Sequence, residues 1–178
     1  MRLFIAINLP NKVRDYVYHL CKEINSNNIK VNWIHKKNLH LTMKFIGEVE
    51  DSKVNEIKDR LNHIEYEKFI LNLETIGFFP NNDFIRIIWI GVNPEEKVIE
   101  LQKKIDSSLL DLTSKDQRFD AHLTIGRVKN IKNREEFIKK IKDTKIEKIQ
   151  FEVNEFKLMK STLSKDGPTY EEIANFVL

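Results

Sequence analysis

The order of apolar and polar positions along the chain predicts strands that alternate with helices. Apolar residues spaced three and four apart, which share one face of a helix, recur in four segments. The predicted helices begin at Asn11 and after Asp51-Ser52, and span residues 95–112 and 134–143. Short apolar or alternating runs predict strands at residues 2–8, 31–34, 38–46, 69–76, 84–92, 119–128, 149–163 and 170–178. The later strands form hairpin-like pairs, so the pattern predicts an α+β fold with mostly antiparallel sheets.

Two connections are predicted from their turn-forming residues. Residues 77–83 join two predicted strands as a loop, and Ser164-Lys165-Asp166-Gly167-Pro168 has the composition of a turn. No linker or low-complexity segment divides the chain. Its 178 residues therefore predict one domain, or two small lobes that share a cleft.

The composition is that of a globular protein with a mildly basic surface. Hydrophobic residues make up 41% of the chain and include 11 Phe and 2 Trp, which is enough for a core and excludes a disordered chain. The formal net charge of +3 permits a polyanionic ligand without requiring one, because no long basic arm is present.

The single cysteine, Cys21, excludes an internal disulfide and a cysteine-cluster zinc site. Its place in a helical pattern predicts a packed thiol rather than a nucleophile. The apolar run at the start of the chain is too short for a signal peptide, and no later run approaches the length of a membrane span. We therefore expect a soluble protein of a reducing compartment, the cytoplasm, with no membrane partner.

One tetrapeptide pattern occurs twice in the chain. His40-Leu41-Thr42-Met43 is repeated 82 residues later as His122-Leu123-Thr124-Ile125, and both copies fall in predicted strands. Because side chains alternate along a strand, the His and Thr of each copy point to one face and the Leu points to the other. Each copy therefore presents an imidazole beside a hydroxyl. Either histidine alone could be a half-buried strand residue, but the repeat favours a functional pair.

Two imidazoles and two hydroxyls suit acid–base chemistry on a phosphate. One histidine can take a proton from water while the other, already protonated, gives a proton to a leaving oxygen. Thr42 and Thr124 can donate hydrogen bonds to phosphoryl oxygens. Arg127 follows His122 by five residues and can pair with a phosphate. Strand parity puts Arg127 on the opposite face unless a bulge at Gly126 intervenes.

Other catalytic chemistries have less support in the sequence. A zinc or two-metal site needs three or more ligands, and neither motif lies in a metal-ligand pattern such as HExxH. Asp120 precedes His122 by two residues and could orient its ring, or could be a solvated acid at the strand entry. No serine lies in a GxSxG nucleophile elbow. We therefore expect no metal and no cofactor.

These motifs and their flanks resemble the two-histidine phosphoesterase superfamily, and more narrowly the RNA 2′,3′-cyclic phosphodiesterases, also called 2′-5′ RNA ligases. The similarity runs nearly end to end. It is carried by Met1-Arg2-Leu3-Phe4-Ile5-Ala6, Trp33, Asn38 to Gly47, Gly77-Phe78-Phe79-Pro80, Ile88-Trp89-Ile90-Gly91, Phe119 to Arg127, Ser161-Thr162-Leu163 and Gly167 to Glu171. Ala121 and Gly126 depart from the family's usual Pro and Ala without removing a chemical group.

The resemblance implies a fold, a reaction and a set of roles. It implies a single bilobal catalytic domain over 1–178, with two pseudo-symmetric lobes around a central cleft. The implied reaction is metal-independent hydrolysis of an RNA 2′,3′-cyclic phosphate to a 2′-phosphomonoester, with tRNA fragments among the candidate substrates. His40 would be the proton donor and His122 the proton acceptor, while Thr42, Thr124 and Arg127 would bind the phosphate. We expect a monomer.

Three alternatives remain open at this point. The same site could run in reverse as a ligase that forms 2′-5′ linkages. The chain could be an RNA- or nucleotide-binding module without turnover. It could also act on a small cyclic nucleotide or on ADP-ribose cyclic phosphate.

Several flanking residues have both a binding and a structural interpretation. Phe78 and Phe79 could stack a base at the mouth of the cleft or fill the core. Lysines could rim the cleft and attract an RNA backbone, or belong to an ordinary charged surface. These are Lys36, Lys37, Lys44, Lys129, Lys160 and Lys165.

Overall fold

The computed structural model describes residues 1–114, 118–165 and 167–178, in which strands and helices alternate at first and consecutive strands end the chain. The strands are β1 (Arg2–Asn8), β2 (Ile29–Trp33), β3 (His40–Glu48), β4 (Phe69–Pro80), β5 (Ile85–Asn93), β6 (His122–Ile131), β7 (Gln150–Val153), β8 (Glu155–Ser164) and β9 (Gly167–Val177). The helices are α1 (Asn11–Ile24), α2 (Val54–Asn62), α3 (Glu95–Ser108) and α4 (Arg134–Asp143).

The strands form two antiparallel sheets, which confirms the predicted α+β class. The first sheet has the order β3-β1-β8-β9 and the second has the order β2-β6-β5-β4-β7. Every strand pair in both sheets is antiparallel. The strands that carry the two repeated motifs, β3 and β6, belong to different sheets and contact each other. The two motifs therefore meet where the sheets meet.

Alternation along β3 and β6 divides each motif between the core and the open face. Leu41 and Leu123 are fully buried, whereas the histidines and threonines of both motifs are half-buried. Most buried residues of both sheets and of all four helices join one hydrophobic cluster, and Phe4, Ala6 and Met159 form a second, smaller one. Packing of the motif leucines into the larger cluster holds each imidazole and hydroxyl on the opposite, accessible face.

In each motif strand, the last residue of the motif, Met43 or Ile125, is an extra residue in the ladder. In the β1–β3 ladder, Ile5 pairs with Lys44 and the next residue, Ala6, pairs with Thr42. The β5–β6 ladder has the same shift, which leaves Ile125 without an opposite partner. Side chains alternate between the two faces of a strand, and a bulge of this kind moves every residue after it to the opposite face from the one that plain alternation would give. It therefore returns the fifth residue after each histidine to the side of that histidine.

Several predicted boundaries are wrong. The predicted loop 77–83 is strand as far as Pro80, because Gly77, Phe78 and Phe79 continue the ladder with β5. The predicted strand 149–163 is two strands: β7 pairs with β4 in the second sheet, and β8 pairs with β1 in the first. The apolar pattern continues without interruption from β7 to β8, so the sequence predicted a single strand although the chain passes from one sheet to the other.

Other differences are smaller. Residues Lys36–Asn38 form a 3-10 turn, so the strand predicted from residue 38 begins at His40. The helix predicted for 95–112 ends at Ser108, and the strand predicted from 119 begins at His122. The predicted turn at 164–168 joins β8 and β9, and its central residue, Asp166, lies outside the described residues.

Candidate active site

Backbone and hydroxyl contacts fix the ring of His40. Its Nδ1 lies 2.7 Å from the carbonyl oxygen of Asn38, and its Nε2 lies 2.9 Å from Oγ1 of Thr42. A carbonyl oxygen only accepts hydrogen bonds, so Nδ1 carries the proton and Nε2 faces the hydroxyl. The motif threonine thus contacts the ring nitrogen that is available for proton transfer.

Asn38 also ties the first motif to the hairpin of β8 and β9. Its buried side chain donates a hydrogen bond from Nδ2 to the carbonyl oxygen of Pro168, at 2.8 Å. The same residue therefore holds the ring of His40 through its backbone and the start of β9 through its side chain.

His122 has the same backbone contact as His40. Its Nδ1 lies 2.8 Å from the carbonyl oxygen of Asp120, again two residues before the histidine. The carboxylate of Asp120 pairs instead with Arg118, whose Nε lies 3.0 Å from Oδ2. Asp120 therefore contacts the ring of His122 through its backbone and not through its carboxylate.

Two aromatic rings lie against each motif histidine. The ring of His40 is 5.0 Å from that of Phe4 and 5.3 Å from that of Tyr170. The ring of His122 is 4.9 Å from that of Phe79 and 6.3 Å from that of Trp89. Both histidines thus project from between aromatic side chains, in two different sheets.

A glycine makes room for one of these rings. Trp89 lies across Gly77 of the neighbouring strand, and a Cβ at Gly77 would stand 2.1 Å from the indole ring. Only glycine fits at this point, since real Cβ atoms do not approach so closely. The indole in turn packs against Phe79, with the two ring centres 5.2 Å apart.

The surroundings of His40 favour its neutral form. Burial lowers the pKa of His40, and the positive charge of Arg14 on α1 acts in the same direction. The hydrogen bond to the carbonyl of Asn38 opposes this change. Because burial is the largest of these effects, His40 is harder to protonate than an exposed histidine until an anion binds beside it.

Arg127 lies on the cleft side of its strand. It is exposed, and its positive charge opposes the burial that raises the pKa of Tyr170, the residue in contact with His40. The bulge after Thr124 accounts for this placement, because plain alternation would turn Arg127 away from His122. From the sequence, Arg127 was expected on the side of His122 only if a bulge at Gly126 intervened. The structure has a bulge there, and its extra residue is Ile125 rather than Gly126.

A cavity of about 390 Å³ lies between the end of β2, the start of β9 and β6. Asn38 and Tyr170 reach it from the side of His40, and Arg127 reaches it from β6. The remaining walls come from the end of β2 and the start of β9: Asn32, Trp33, Ile34, His35, Gly167 and Pro168. The cavity is thus an anion-compatible space beside the first histidine, built from both sheets.

The five residues that the sequence selected for the site lie on two strands that contact each other. His40 and Thr42 lie on β3, and His122, Thr124 and Arg127 lie on β6. Sequence analysis did not assign a role to Phe4, Tyr170 or Arg14, which are distant from the motifs along the chain. No local pattern marks them, and only the pairing of β1, β8 and β9 brings Phe4 and Tyr170 to the first motif.

The structure shows the surroundings of three flanking residues that had both a binding and a structural interpretation. Phe78 packs against Phe137 of α4 and belongs to the core, whereas Phe79 contacts His122. Lys44 is not on the rim, because it is buried and its Nζ lies 2.5 Å from Oδ1 of Asp106 on α3. It follows the bulge, which turns it into the protein.

Cys21 is buried in α1, as predicted for a packed thiol, and burial raises the pKa of this thiol to about 12. Within residues 1–114, 118–165 and 167–178, no three His, Cys, Asp or Glu side chains are grouped to hold a metal ion. In the same ranges, no helix is long and apolar enough to cross a membrane.

The sequence matches the family model of LigT-like phosphoesterases twice, over residues 7–89 and 90–170. Each match contains one of the two motifs. The chain belongs to the LigT-like phosphoesterases. The duplicated match agrees with the fold, in which each sheet supplies one motif strand, and it confirms the family predicted from the motifs.

Curated relatives of this LigT-like chain cover nearly its full length. It is 40% identical to an RNA 2′,3′-cyclic phosphodiesterase of Methanocaldococcus jannaschii, over 97% of this chain and 98% of the relative. It is 35% identical to the protein of the same name from Archaeoglobus fulgidus, over 99% of each.

Solved structures share the fold. The structure of Escherichia coli LigT in complex with 3′-AMP superimposes with a TM-score of 0.79 at 23% identity, over 99% of this chain and 97% of that one. A structure described as a phosphoesterase gives a TM-score of 0.81 at 24% identity, over 99% and 98%. The bilobal α+β architecture predicted from the resemblance is therefore confirmed.

Proposed function

We propose that this chain hydrolyses the 2′,3′-cyclic phosphate at the end of an RNA to a 2′-phosphomonoester, without a metal ion. The supporting observation is that two His-x-Thr pairs lie on contacting strands of different sheets, next to a cavity lined by Arg127 and by Tyr170, which contacts His40. The names of the relatives from Methanocaldococcus jannaschii and Archaeoglobus fulgidus support the choice of substrate.

In this mechanism His122 is the proton acceptor. Its Nδ1 faces a carbonyl oxygen, so in the neutral ring Nε2 holds the free electron pair. Nε2 takes a proton from water, and the water oxygen bonds to phosphorus. His122 becomes an imidazolium, which its half-buried position leaves open to proton exchange with solvent.

His40 is the proton donor in the same step. As the bond between phosphorus and the 3′ oxygen breaks, Nε2 of protonated His40 gives its proton to that oxygen. The products are a 3′-hydroxyl and a 2′-phosphate, and one proton has moved from His40 to the substrate while another has moved from water to His122. The negative phosphate offsets the burial that disfavours the charged form of His40 before the reaction.

Thr42, Thr124 and Arg127 hold the phosphate. Each hydroxyl can donate to a non-bridging oxygen whose charge grows in the transition state. Thr42 already contacts Nε2 of His40, so its hydroxyl lies where the leaving oxygen would be protonated. Arg127 supplies the positive charge that a cyclic phosphodiester anion requires.

We further propose that residues 1–178 act as one catalytic domain and as a monomer in the cytoplasm, on RNA ends such as those of tRNA fragments. The large hydrophobic cluster that spans both sheets supports one domain. The buried lone thiol of Cys21 is compatible with a reducing compartment.

The test is hydrolysis of a short RNA that ends in a 2′,3′-cyclic phosphate, in the presence of excess EDTA. Wild type, His40→Ala and His122→Ala are compared, with His19→Ala as the matched control because His19 is an exposed helical histidine outside the motifs. Chromatography separates 2′-phosphate from 3′-phosphate and from joined RNA.

We expect wild type and His19→Ala to make the 2′-phosphate and both motif variants to lose nearly all turnover. Loss of wild-type activity in EDTA, with recovery on addition of one metal, would contradict the metal-free mechanism. RNA binding without turnover would favour a binding module, and joined RNA as the main product would favour a ligase.

A further inference from the structure

One buried hydrogen bond joins the two edge strands of the first sheet. β3 and β9 are the outermost strands of that sheet and are separated by β1 and β8. At one end of the sheet, Nδ2 of Asn38 nevertheless donates to the carbonyl oxygen of Pro168, at 2.8 Å. Asn38 ends the 3-10 turn before β3, and Pro168 is the second residue of β9. The bond therefore fixes the start of β9 relative to the start of β3.

The burial of Asn38 makes this hydrogen bond important. The residue is only 6% exposed, and a buried amide costs free energy unless its polar atoms are hydrogen-bonded. Water does not compete for a buried bond, and the low local dielectric strengthens it. The amide of Asn38 is therefore held firmly by the carbonyl oxygen of Pro168.

Both groups joined by this bond orient the ring of His40. The carbonyl oxygen of Asn38 lies 2.7 Å from Nδ1 of His40, which keeps a proton on Nδ1 and leaves Nε2 for proton transfer. Tyr170, two residues after Pro168, places its ring nearly perpendicular to the imidazole at 5.3 Å. The bond from Asn38 to Pro168 thus connects the carbonyl that contacts Nδ1 with the strand that supplies the aromatic neighbour.

The second half of the site is built differently. Asp120 corresponds to Asn38, because it also lies two residues before its histidine and turns its carbonyl oxygen to Nδ1 of His122. Its carboxylate pairs with the exposed Arg118, and such surface ion pairs are weak. The proposed roles explain the difference: the leaving oxygen is fixed in the substrate, so its proton donor needs a fixed ring, whereas a water molecule can adjust its position beside the proton acceptor.

We propose that Asn38 is a positioning residue for His40: its bond to Pro168 holds the carbonyl oxygen that keeps Nδ1 protonated and directs Nε2 at the leaving 3′ oxygen. This inference rests on the proposed function, with His40 as the proton donor. Asn38 acts through His40 and takes no part in proton transfer itself. Its loss should be costly, because displacement of a catalytic group by about 1 Å can lower a rate by about 100-fold.

The test compares two substrates that differ only in the leaving atom. One is adenosine 2′,3′-cyclic phosphate, and the other has sulfur in place of the 3′ oxygen. In both, water bonds to phosphorus as the bond to the 3′ atom breaks. A thiolate is a far weaker base than an alkoxide and leaves without a proton. Hydrolysis of the sulfur substrate therefore does not depend on the proton donor.

Two variants remove the hydrogen bond in different ways. Asn38→Ala deletes the amide, and Asn38→Asp keeps its shape but puts an acceptor oxygen against the carbonyl of Pro168. Asn72→Ala is the matched control, because Asn72 also donates to a backbone carbonyl, that of Asn93 in the second sheet. His40→Ala is the reference for loss of the donor. An unfolded fraction would lower both rates equally, so the ratio of the two rates reports on the folded molecules alone.

We expect both Asn38 variants to lower kcat on the oxygen substrate by about 10- to 100-fold with little change in KM, and to lose much less on the sulfur substrate. His40→Ala should show a larger loss with the same dependence on the leaving atom. Asn72→Ala should match wild type on both substrates. Equal losses on the two substrates in the Asn38 variants, or no loss on the oxygen substrate, would overturn the positioning role while the proposed function stood.

If wild type turned over neither these substrates nor RNA, the proposed function would fail. NMR spectroscopy of the histidine ring nitrogens would then decide the positioning separately. At about pH 8, where an ordinary histidine is neutral, wild type should carry the proton of His40 on Nδ1 alone. A mixture of the two neutral forms in Asn38→Asp supports the role of Asn38, and an unchanged Nδ1–H form overturns it.

Discussion

Phe45 and Arg127 occupy corresponding positions in the two halves of the site, each five residues after a motif histidine and each beyond a bulge. Both are exposed, but one is an aromatic ring on the first sheet and the other a cation on the second. The duplicated framework thus repeats the His-x-Thr pair, and it places an aromatic ring beside one pair and a cation beside the other.

Replacing Arg127 with methionine should weaken phosphate binding. A hydrogen bond to a charged group is worth enough to predict a rise in KM of about 10- to 100-fold with a smaller change in kcat. Steady-state kinetics on the cyclic-phosphate RNA measures this change. Lys139→Met is the matched control, because it removes an exposed positive charge from α4. Equal effects of the two substitutions would point to overall charge rather than to a contact of Arg127.

Thr42→Val and Thr124→Val should each lower kcat while preserving the shape of the side chain. Loss of one donor to a transition-state oxyanion costs on the order of 100-fold in kcat. Thr42→Ser and Thr124→Ser keep the hydroxyl and should recover most of the activity. The expected pattern is therefore loss in valine and recovery in serine at both positions. Full activity in both valine variants would remove the threonines from the mechanism.

The lowered pKa of His40 predicts a loss of stability in acid. The unfolded chain binds a proton at this residue as the pH falls below the ordinary value of 6.5, while the folded protein resists protonation until its own lower pKa is reached. Stability contributed by neutral His40 is thus present above about pH 6.5, declines as the pH falls toward the folded pKa, and changes no further below it.

His40→Gln removes this contribution. Urea unfolding at about pH 8 and about pH 5.5 should show a smaller acid-induced drop in the free energy of unfolding for His40→Gln than for wild type. His19→Gln, an exposed histidine, serves as control and should retain the wild-type drop. An identical drop in wild type and His40→Gln would show that the folded protein protonates His40 as readily as the unfolded chain.

Lys44 should be a stability residue. Its buried Nζ contacts Asp106 on α3 and donates to the carbonyl oxygen of Ser114, at 2.9 Å. Lys44→Met removes one partner of a buried ion pair, which typically costs about 3–5 kcal/mol. Lys44→Met combined with Asp106→Asn should recover part of the loss. Urea unfolding measures both variants, and additive losses in the double variant would exclude coupling between the two residues.

Much of the site was predictable from the sequence because its chemistry is local. His40 and Thr42, like His122 and Thr124, lie two residues apart on one strand, so alternation alone places each pair on one face. The repeat of this pattern and its flanks also identified the family. The helices were predicted well for the same reason: an amphipathic period is a property of neighbouring residues, and α4 was predicted with its observed bounds.

The rest depended on contacts between distant segments. The side on which Arg127 and Phe45 lie is set by bulges, and these depend on how β1 and β5 pair with the motif strands. The segment 149–163, predicted as one strand, forms two strands because its first part pairs with β4 in the second sheet and its second part pairs with β1 in the first.

The sequence by itself determined the two His-x-Thr pairs, the strands that carry them and the fold class, since these follow from spacing along a strand and from amphipathic periods. Only the tertiary structure decided that the two motifs meet, that Phe4 and Tyr170 enclose His40, and that burial lowers the pKa of His40. Burial and long-range pairing depend on the whole chain, because each residue's surroundings are supplied by segments far away in the sequence.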